Sequence, residues 1–232
     1  MPPYPYYLDY YSSYLIFVLP ALIISLFAQI RVKSSFSKYS KVFSNLTGEQ
    51  AARAVLEQNG VYNVKIEKVS GSMTDHYDAR TNVIRLSETV HSVSSVAAVG
   101  VAAHEAGHAV QYAKKYKPIK IRAAILPVAQ IGSSLSFPLV LLGIAFTMPL
   151  LTNIGIIFFC AALLFQLVTL PVEFNASKRA ITAISEGNLL FGDEITGAKR
   201  VLRAAAMTYV ASVITSLLQL LRLLALSGRR RR

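Results

Sequence analysis

The chain has four histidines, and two of them fall in the run His104-Glu105-Ala106-Gly107-His108. If residues 95–113 form a helix, imidazoles four residues apart project from one face, one turn apart. That spacing lets two neutral ring nitrogens bind one Zn²⁺ at about 2.0–2.1 Å. Glu105 stands one position round the helix. It can reach a zinc-activated water without ligating the metal and take a proton from it as the water attacks a carbonyl. The opposing reading is an amphipathic helix with two surface histidines and a glutamate. The Ala/Val-rich surroundings weigh against it, because a buried helix does not carry three polar groups on one side without a partner.

A catalytic zinc usually has three protein ligands and an open fourth position. No histidine follows His108; residue 111 is Gln111 and residue 114 is Lys114. The third ligand therefore comes from elsewhere, and downstream the carboxylates are Glu173, Glu186, Asp193 and Glu194. Glu173 is the expected ligand. It opens PVEFNASKRA, which reads as a helix start after Pro171 at the end of an apolar run. Glu186, Asp193 and Glu194 serve equally well as surface charges.

Upstream, residues 74–87 (TDHYDARTNVIRLS) lead from a turn into the short alternating strand Val83-Ile84-Arg85-Leu86. That strand is a candidate sheet edge to which a peptide substrate could add. His76 and Tyr77 are candidates for stabilising an oxyanion or orienting substrate, so His76 joins Glu105 as a catalytic candidate. Its alternative is packing or capping a turn. His91 follows Ser87-Glu88-Thr89, an apparent helix start, and reads as structural. Thr47, with Gln50 three residues on, caps a helix that Gly60 ends. Residues 61–69 (VYNVKIEKV) alternate as a strand.

These elements belong to a chain of 232 residues, 53% hydrophobic, with a mean hydropathy of +0.45. Such a balance calls for membrane spans. The 24 Lys+Arg against 12 Asp+Glu then suit an anionic membrane surface better than nucleic acid. A single cysteine, Cys160, excludes a disulfide framework and a cysteine-built zinc site.

Residues 14–30 form a first span, read as a retained anchor because no Lys or Arg precedes it. Tyr4, Tyr6, Tyr7, Tyr10 and Tyr11 before it suit an interfacial aromatic belt. Arg31, Lys33, Lys38 and Lys41 follow at once, which puts the N-terminus outside and residue 31 onward in the cytoplasm. No Lys or Arg occurs in 123–177, which is long enough for spans near 124–146 and 150–170 with a turn at Met148-Pro149. Residues 206–226 are also apolar but carry Gln219 and Arg222 and end in Arg229–Arg232. Crossing there would put four arginines outside. The segment is therefore left between a span, an interfacial helix and a re-entrant one, with the arginines on anionic headgroups.

The expected organisation is an anchor at 1–30, catalytic parts at 31–122 and 171–205, a membrane hairpin at 123–170, and an apolar helix with a basic tail at 206–232. Both catalytic parts fall on the cytoplasmic side and can meet. The fold class is mainly α with a small β-sheet, an integral membrane, zincin-like arrangement of an HExxH helix plus a transmembrane hairpin.

LTGEQAARAVL (46–56), DHYDAR…VIRLS (75–87), VAAHEAGHAVQ (101–111) and LPVEFNASKRA (170–180) occur in that order. In these motifs the chain resembles the YugP-like neutral zinc metallopeptidases, a family expected to be membrane proteases. The layout is also similar to the HtpX and CAAX-prenyl endopeptidase group, in which HExxH precedes a hydrophobic hairpin and a glutamate ligand follows. That resemblance implies Glu173 as the ligand. It departs at Asn175, where an acidic residue is usual, and at Ser177, where the HtpX-like group has an aspartate four residues after its glutamate. If that aspartate orients a zinc histidine, Ser177, Asn175 or Asp78 must take over the task, and activity would be lower.

The function expected from all this is a membrane-bound, zinc-dependent endopeptidase acting on a peptide or membrane-protein substrate at the bilayer, with no nucleic-acid partner. The alternative is a non-catalytic membrane scaffold or chaperone with a degenerate or structural metal site, for which an intact Glu105 has no use. A transporter would want charged groups in its spans, and 124–170 has none.

Overall fold

A computed structural model describes residues 14–228. The tyrosine-rich start and Arg229–Arg232 lie outside the described residues. The chain divides into two compact units. One holds Ile30–Lys120 and Leu170–Met207, and the other residues 14–29, Ile121–Thr169 and 208–228.

The first element is a single widened turn, Tyr14–Val18, that runs into helix α1, Leu19–Tyr39. Pro20 has no N–H to return to the preceding turn, which accounts for the change of pitch there. Helix α2, Gly48–Gln58, starts at Thr47 with both hydrogen bonds of a capping box: Gln50 N donates to Thr47 Oγ1, and Thr47 N donates to Gln50 Oε1. Gly60, at a φ of 71°, turns the chain out of it.

Three strands follow: β1 Lys65–Val69, β2 His76–Asp78 and β3 Val83–Ser87. Only the second half of the alternating 61–69 segment is strand. Val61 and Val64 turn into the core as part of the approach. The sheet order is β1-β3-β2, with β1 parallel and β2 antiparallel to β3. Val83–Ser87 is therefore the central strand and cannot be the open edge expected of it, because β1 and β2 take up its ladder on both sides. The edges are β1 and β2. Residues 88–92 do not begin a helix. Val90 N and His91 N both fold back onto Ser87 O, and the turn is not continued.

Helix α3, Val96–Ala113, begins at Ser95, whose hydroxyl accepts from Ala98 N. Its alanines and valines are almost wholly buried, and together with α2, the sheet and the 180–202 region they form one core. Small side chains make this possible. A Cβ on Gly107 would lie 2.7 Å from the carbonyl oxygen of Ala176, so only glycine lets the two backbones come so near.

Helices α4 (Lys117–Ala145), α5 (Pro149–Glu186) and α6 (Asp193–Gly228) complete the chain. The reversal between α4 and α5 lies at residues 146–148, with Thr147 at a φ of 54°. Pro171 does not start a helix; it sits inside α5. A proline within an apolar helix is tolerated when neighbouring groups take up the backbone bond it removes. In the apolar unit α4 and α5 approach at glycines: a Cβ on Gly132 would meet Phe158 O at 2.7 Å, and one on Gly155 would meet Ser136 O at 2.8 Å. In the same unit α6 runs antiparallel to α1. Ser25 Oγ lies 3.1 Å from Thr215 Oγ1, and the Arg222 guanidinium sits 4.3 Å from the centre of the Tyr14 ring. Residues 206–226 thus belong to one long helix. Among the described residues, four helices are long and apolar enough to cross a membrane: Tyr14–Tyr39, Lys117–Ala145, Pro149–Glu186 and Asp193–Ser227. They expose Leu22, Ile23, Leu26, Phe27 and other large apolar side chains, as surfaces facing lipid do.

Candidate metal centre

Helix α3 presents His104 and His108 one turn apart, with ring centroids separated by 4.7 Å and ring planes nearly perpendicular. The close approach of α5 at Gly107 brings Glu173 to both. Glu173 Oε2 lies 3.3 Å from His104 Nε2 and 3.5 Å from His108 Nε2. Among the described residues this is the one group of three metal-ligating side chains, their donor atoms all within 4.8 Å of one another. Glu173 is 2% exposed and His108 8%. A carboxylate buried this deeply needs compensating charge or hydrogen bonds.

The donor set fits zinc. Two ligands each about 2.0–2.1 Å from one tetrahedral ion lie about 3.4 Å apart, which matches the two separations observed here. The ring tautomers fit as well. Gln111 Nε2 donates to Val172 O at 2.8 Å and to Asn175 Oδ1 at 3.0 Å, which turns Gln111 Oε1 toward His108 Nδ1 at 3.1 Å. An amide oxygen only accepts, so Nδ1 carries the proton and the Nε2 lone pair faces the site. His104 Nδ1 lies 3.1 Å from Ser177 Oγ. Burial disfavours the charged form of His108, but the hydrogen bond to Glu173 and the negative charges of Glu105 and Glu173 outweigh it. The net effect raises its pKa above the ordinary 6.5.

Glu105 is buried on the same helix. Among the described residues its carboxylate makes no hydrogen bond and no ion pair, which leaves it available to a water or substrate.

The other residues singled out in the sequence are not in this three-residue group, though Tyr77 packs its ring 5.6 Å from that of Tyr112 on α3. His76 is on the edge strand β2 and exposed, outside the three-residue cluster. Its Nδ1 donates to Thr74 O at 2.8 Å, so its Nε2 has a proton to offer only when the ring is charged. Tyr77 gives its hydroxyl proton to Asn82 Oδ1 at 2.7 Å. Burial, with Tyr112 and Asp78 nearby, raises its pKa and keeps the phenol protonated. His91 pairs with Glu49 at 3.5 Å and lies 2.8 Å from Ser92 Oγ, a structural use. Asp78 is taken up by the β2–β3 turn, where it accepts from Thr81 Oγ1, Arg80 N and Arg85 Nη1, and these bonds hold its carboxyl well below the usual range. Of the three residues expected to orient a zinc histidine, Ser177 touches His104, Asn175 touches Gln111, and Asp78 bonds within its own turn. Gln111 is the residue that the sequence reading passed over. Its signal was its place three residues after His108, on the same helical face.

Residues 14–228 match the model of a family described as "putative neutral zinc metallopeptidase". The chain is also 44% identical over 220 residues to the "putative membrane protease YugP" of Bacillus subtilis (strain 168), an alignment covering 93% of this chain and 98% of that one. No solved structure matches it. The matched span takes in His104, His108 and Glu173, and the chain belongs to this family, described as "putative neutral zinc metallopeptidase".

Proposed function

We propose that this protein is a membrane-bound, zinc-dependent endopeptidase that hydrolyses peptide bonds with Glu105 as general base. The observation that carries the reading is the convergence of His104 Nε2 and His108 Nε2 on one buried oxygen of Glu173. His104, His108 and Glu173 would hold zinc, which when bound would supply Lewis-acid polarisation of the scissile carbonyl. Glu105 takes a proton from the attacking water and returns it to the leaving amine. Gln111 fixes the His108 ring with its lone pair toward the site, and Ser177, whose hydroxyl can accept the Nδ1 proton of His104, orients the second ring. His76 can contribute an oxyanion donor only as an imidazolium. The edge strand β2, part of the same unit as α3, is the element to which an extended peptide would add.

We read the protein as multi-pass in the cell membrane, with the HExxH-bearing unit on the cytoplasmic side where Arg31, Lys33, Lys38 and Lys41 begin. Because α6 lies antiparallel on α1, it crosses wherever α1 crosses. Its substrate is a peptide or membrane protein at the bilayer. The test is zinc analysis beside a peptide-cleavage assay on the wild type and Glu105→Gln. Cleavage should vanish in the variant while zinc stays at one per chain. Undiminished cleavage would remove Glu105 from the mechanism, and absence of zinc from the wild type would remove the metal.

A further inference from the structure

The hydrogen bonds around His108 extend beyond the metal ligands. Gln111, which holds His108 Nδ1, donates to Asn175 Oδ1, and the same oxygen accepts from Arg179 Nε at 2.8 Å. Asn175 and Arg179 line an open cavity of about 330 Å³ in the unit that holds α3, together with Gln58 and Asn59 from the end of α2 and Lys178 and Glu186 from α5. Lys178 and Arg179 bring two positive charges against the single negative charge of Glu186. At the margin Lys114 Nζ, a further cation, donates to Asn59 Oδ1 at 2.8 Å. Among the described residues neither Lys178 nor Arg179 has a carboxylate partner. The Arg179 guanidinium is anchored, among the described residues, to a neutral amide oxygen and, at 5.9 Å, to the Tyr116 ring. Its two terminal nitrogens, the Lys178 ammonium and the Gln58 amide nitrogen find no acceptor among the described residues. A polar cavity with several donors on three side chains and an excess of positive charge selects an anion. A tetrahedral anion uses donors spread in this way better than a planar carboxylate does.

We propose that this cavity is a binding site for a phosphate group, gripped by the Arg179 fork with Lys178 and Gln58, and that its occupancy is linked to the metal centre through Arg179, Asn175, Gln111 and His108. The anion-binding half stands without the metal; the linkage rests on the function proposed above. The sign of the linkage follows from charge. Phosphate neutralises a cation near a site for a divalent cation and pins Arg179, hence Asn175 and Gln111, in the geometry that orients His108. Phosphate therefore strengthens metal binding, and the metal strengthens phosphate binding by the same factor. The phosphate can be free in solution or part of an anionic lipid headgroup, since the cavity volume exceeds that of a bare phosphate.

The test uses the full chain in uncharged detergent, stripped of metal and titrated calorimetrically with inorganic phosphate. A parallel arm without free phosphate places it in nanodiscs of phosphatidylglycerol or phosphatidylcholine and reads retained lipid by native mass spectrometry. Saturable phosphate binding that Arg179→Gln weakens about tenfold, with a smaller loss in Lys178→Gln, is the expected result. Zinc affinity should then rise about fivefold with phosphate in the wild type and stay flat in Arg179→Gln. Arg179-dependent retention of phosphatidylglycerol over phosphatidylcholine, without a response to phosphate, assigns the site to lipid. Thermal melting reports whether each variant folds, and the exposed Lys178 carries the test if Arg179→Gln does not. Binding of neither probe, or binding indifferent to both substitutions, overturns the site. Phosphate binding that leaves zinc affinity unmoved overturns the linkage. A wild type that takes phosphate but no zinc overturns the metal reading alone.

Discussion

The hydroxyl oxygen of Ser177 lies 3.1 Å from Nδ1 of His104, on the side of the ring away from Glu173. A hydroxyl holds the ring but adds no charge, whereas a carboxylate there would accept the Nδ1 proton and make Nε2 a stronger ligand. Ser177→Ala should weaken zinc binding about tenfold, the low end of what such outer partners are worth, and Ser177→Asp should strengthen it. Competition with a chelator of known affinity measures both. Equal affinities across the three proteins would show that Ser177 does not orient His104.

Glu105 and Glu173 are both buried carboxylates near the two histidines, yet their predicted losses differ in kind. Glu173→Ala removes the oxygen on which both Nε2 atoms converge, so the protein should lose zinc and activity together. Glu105→Gln should keep its zinc and lose at least about 10²-fold in turnover, the usual worth of a general base. Metal content by mass spectrometry beside single-turnover cleavage separates the two. A zinc-free Glu105→Gln protein would make Glu105 a ligand instead.

The histidine pair of the candidate metal centre was legible because its signal is local. His104 and His108 share a helical face by spacing alone, and the alanines and valines between them announce a buried helix. Glu173 could be narrowed only by residue type and position, since its meeting with α3 depends on the packing of Gly107 against Ala176, 69 residues apart in number. The order of the strands was not legible. Val83–Ser87 alternates like any half-buried strand, and nothing in it says that β1 and β2 flank it on both sides. Pro171 misled because its local rule, ending a helix, is overridden inside α5. Gln111 did carry a signal, its place three residues after His108, but its bond to Asn175, and through Asn175 the link to Arg179, exists only after the helices pack.

Gly107→Ala probes that packing directly. Alanine would ordinarily favour a helix by about 1 kcal/mol over glycine. Here the added Cβ would fall 2.7 Å from the Ala176 carbonyl oxygen and 3.3 Å from its carbon, and backbone cannot swing aside as a side chain can. The helices must separate, at a cost of about 1–3 kcal/mol. Because the same approach brings Glu173 to the histidines, zinc affinity should fall along with the melting temperature. A variant of unchanged stability and zinc content would mean that α3 and α5 do not approach as closely as Gly107 and Ala176 indicate.

Acid should strip the metal earlier than ordinary histidine ligands would allow. Only neutral His108 can ligate, and in the metal-free protein Glu173 and Glu105 hold its pKa above 6.5 against the opposing effect of burial. Zinc must therefore displace a bound proton at pH values where a free histidine is already mostly neutral, and apparent affinity should begin to fall while the pH is still above 6.5. For the metal-free chain the sign reverses. A raised pKa in the folded state contributes stability that is full below the unfolded value near 6.5 and is lost as pH rises through the folded value. Melting curves of the zinc-free protein should accordingly shift upward on mild acidification, while those of the zinc-loaded protein shift downward as the metal leaves. Replacing Glu105 by Gln removes one of the charges that raise His108, so the pH at which zinc is released should move down in that variant. Parallel pH profiles for the wild type and Glu105→Gln would show that the charge of Glu105 does not reach His108.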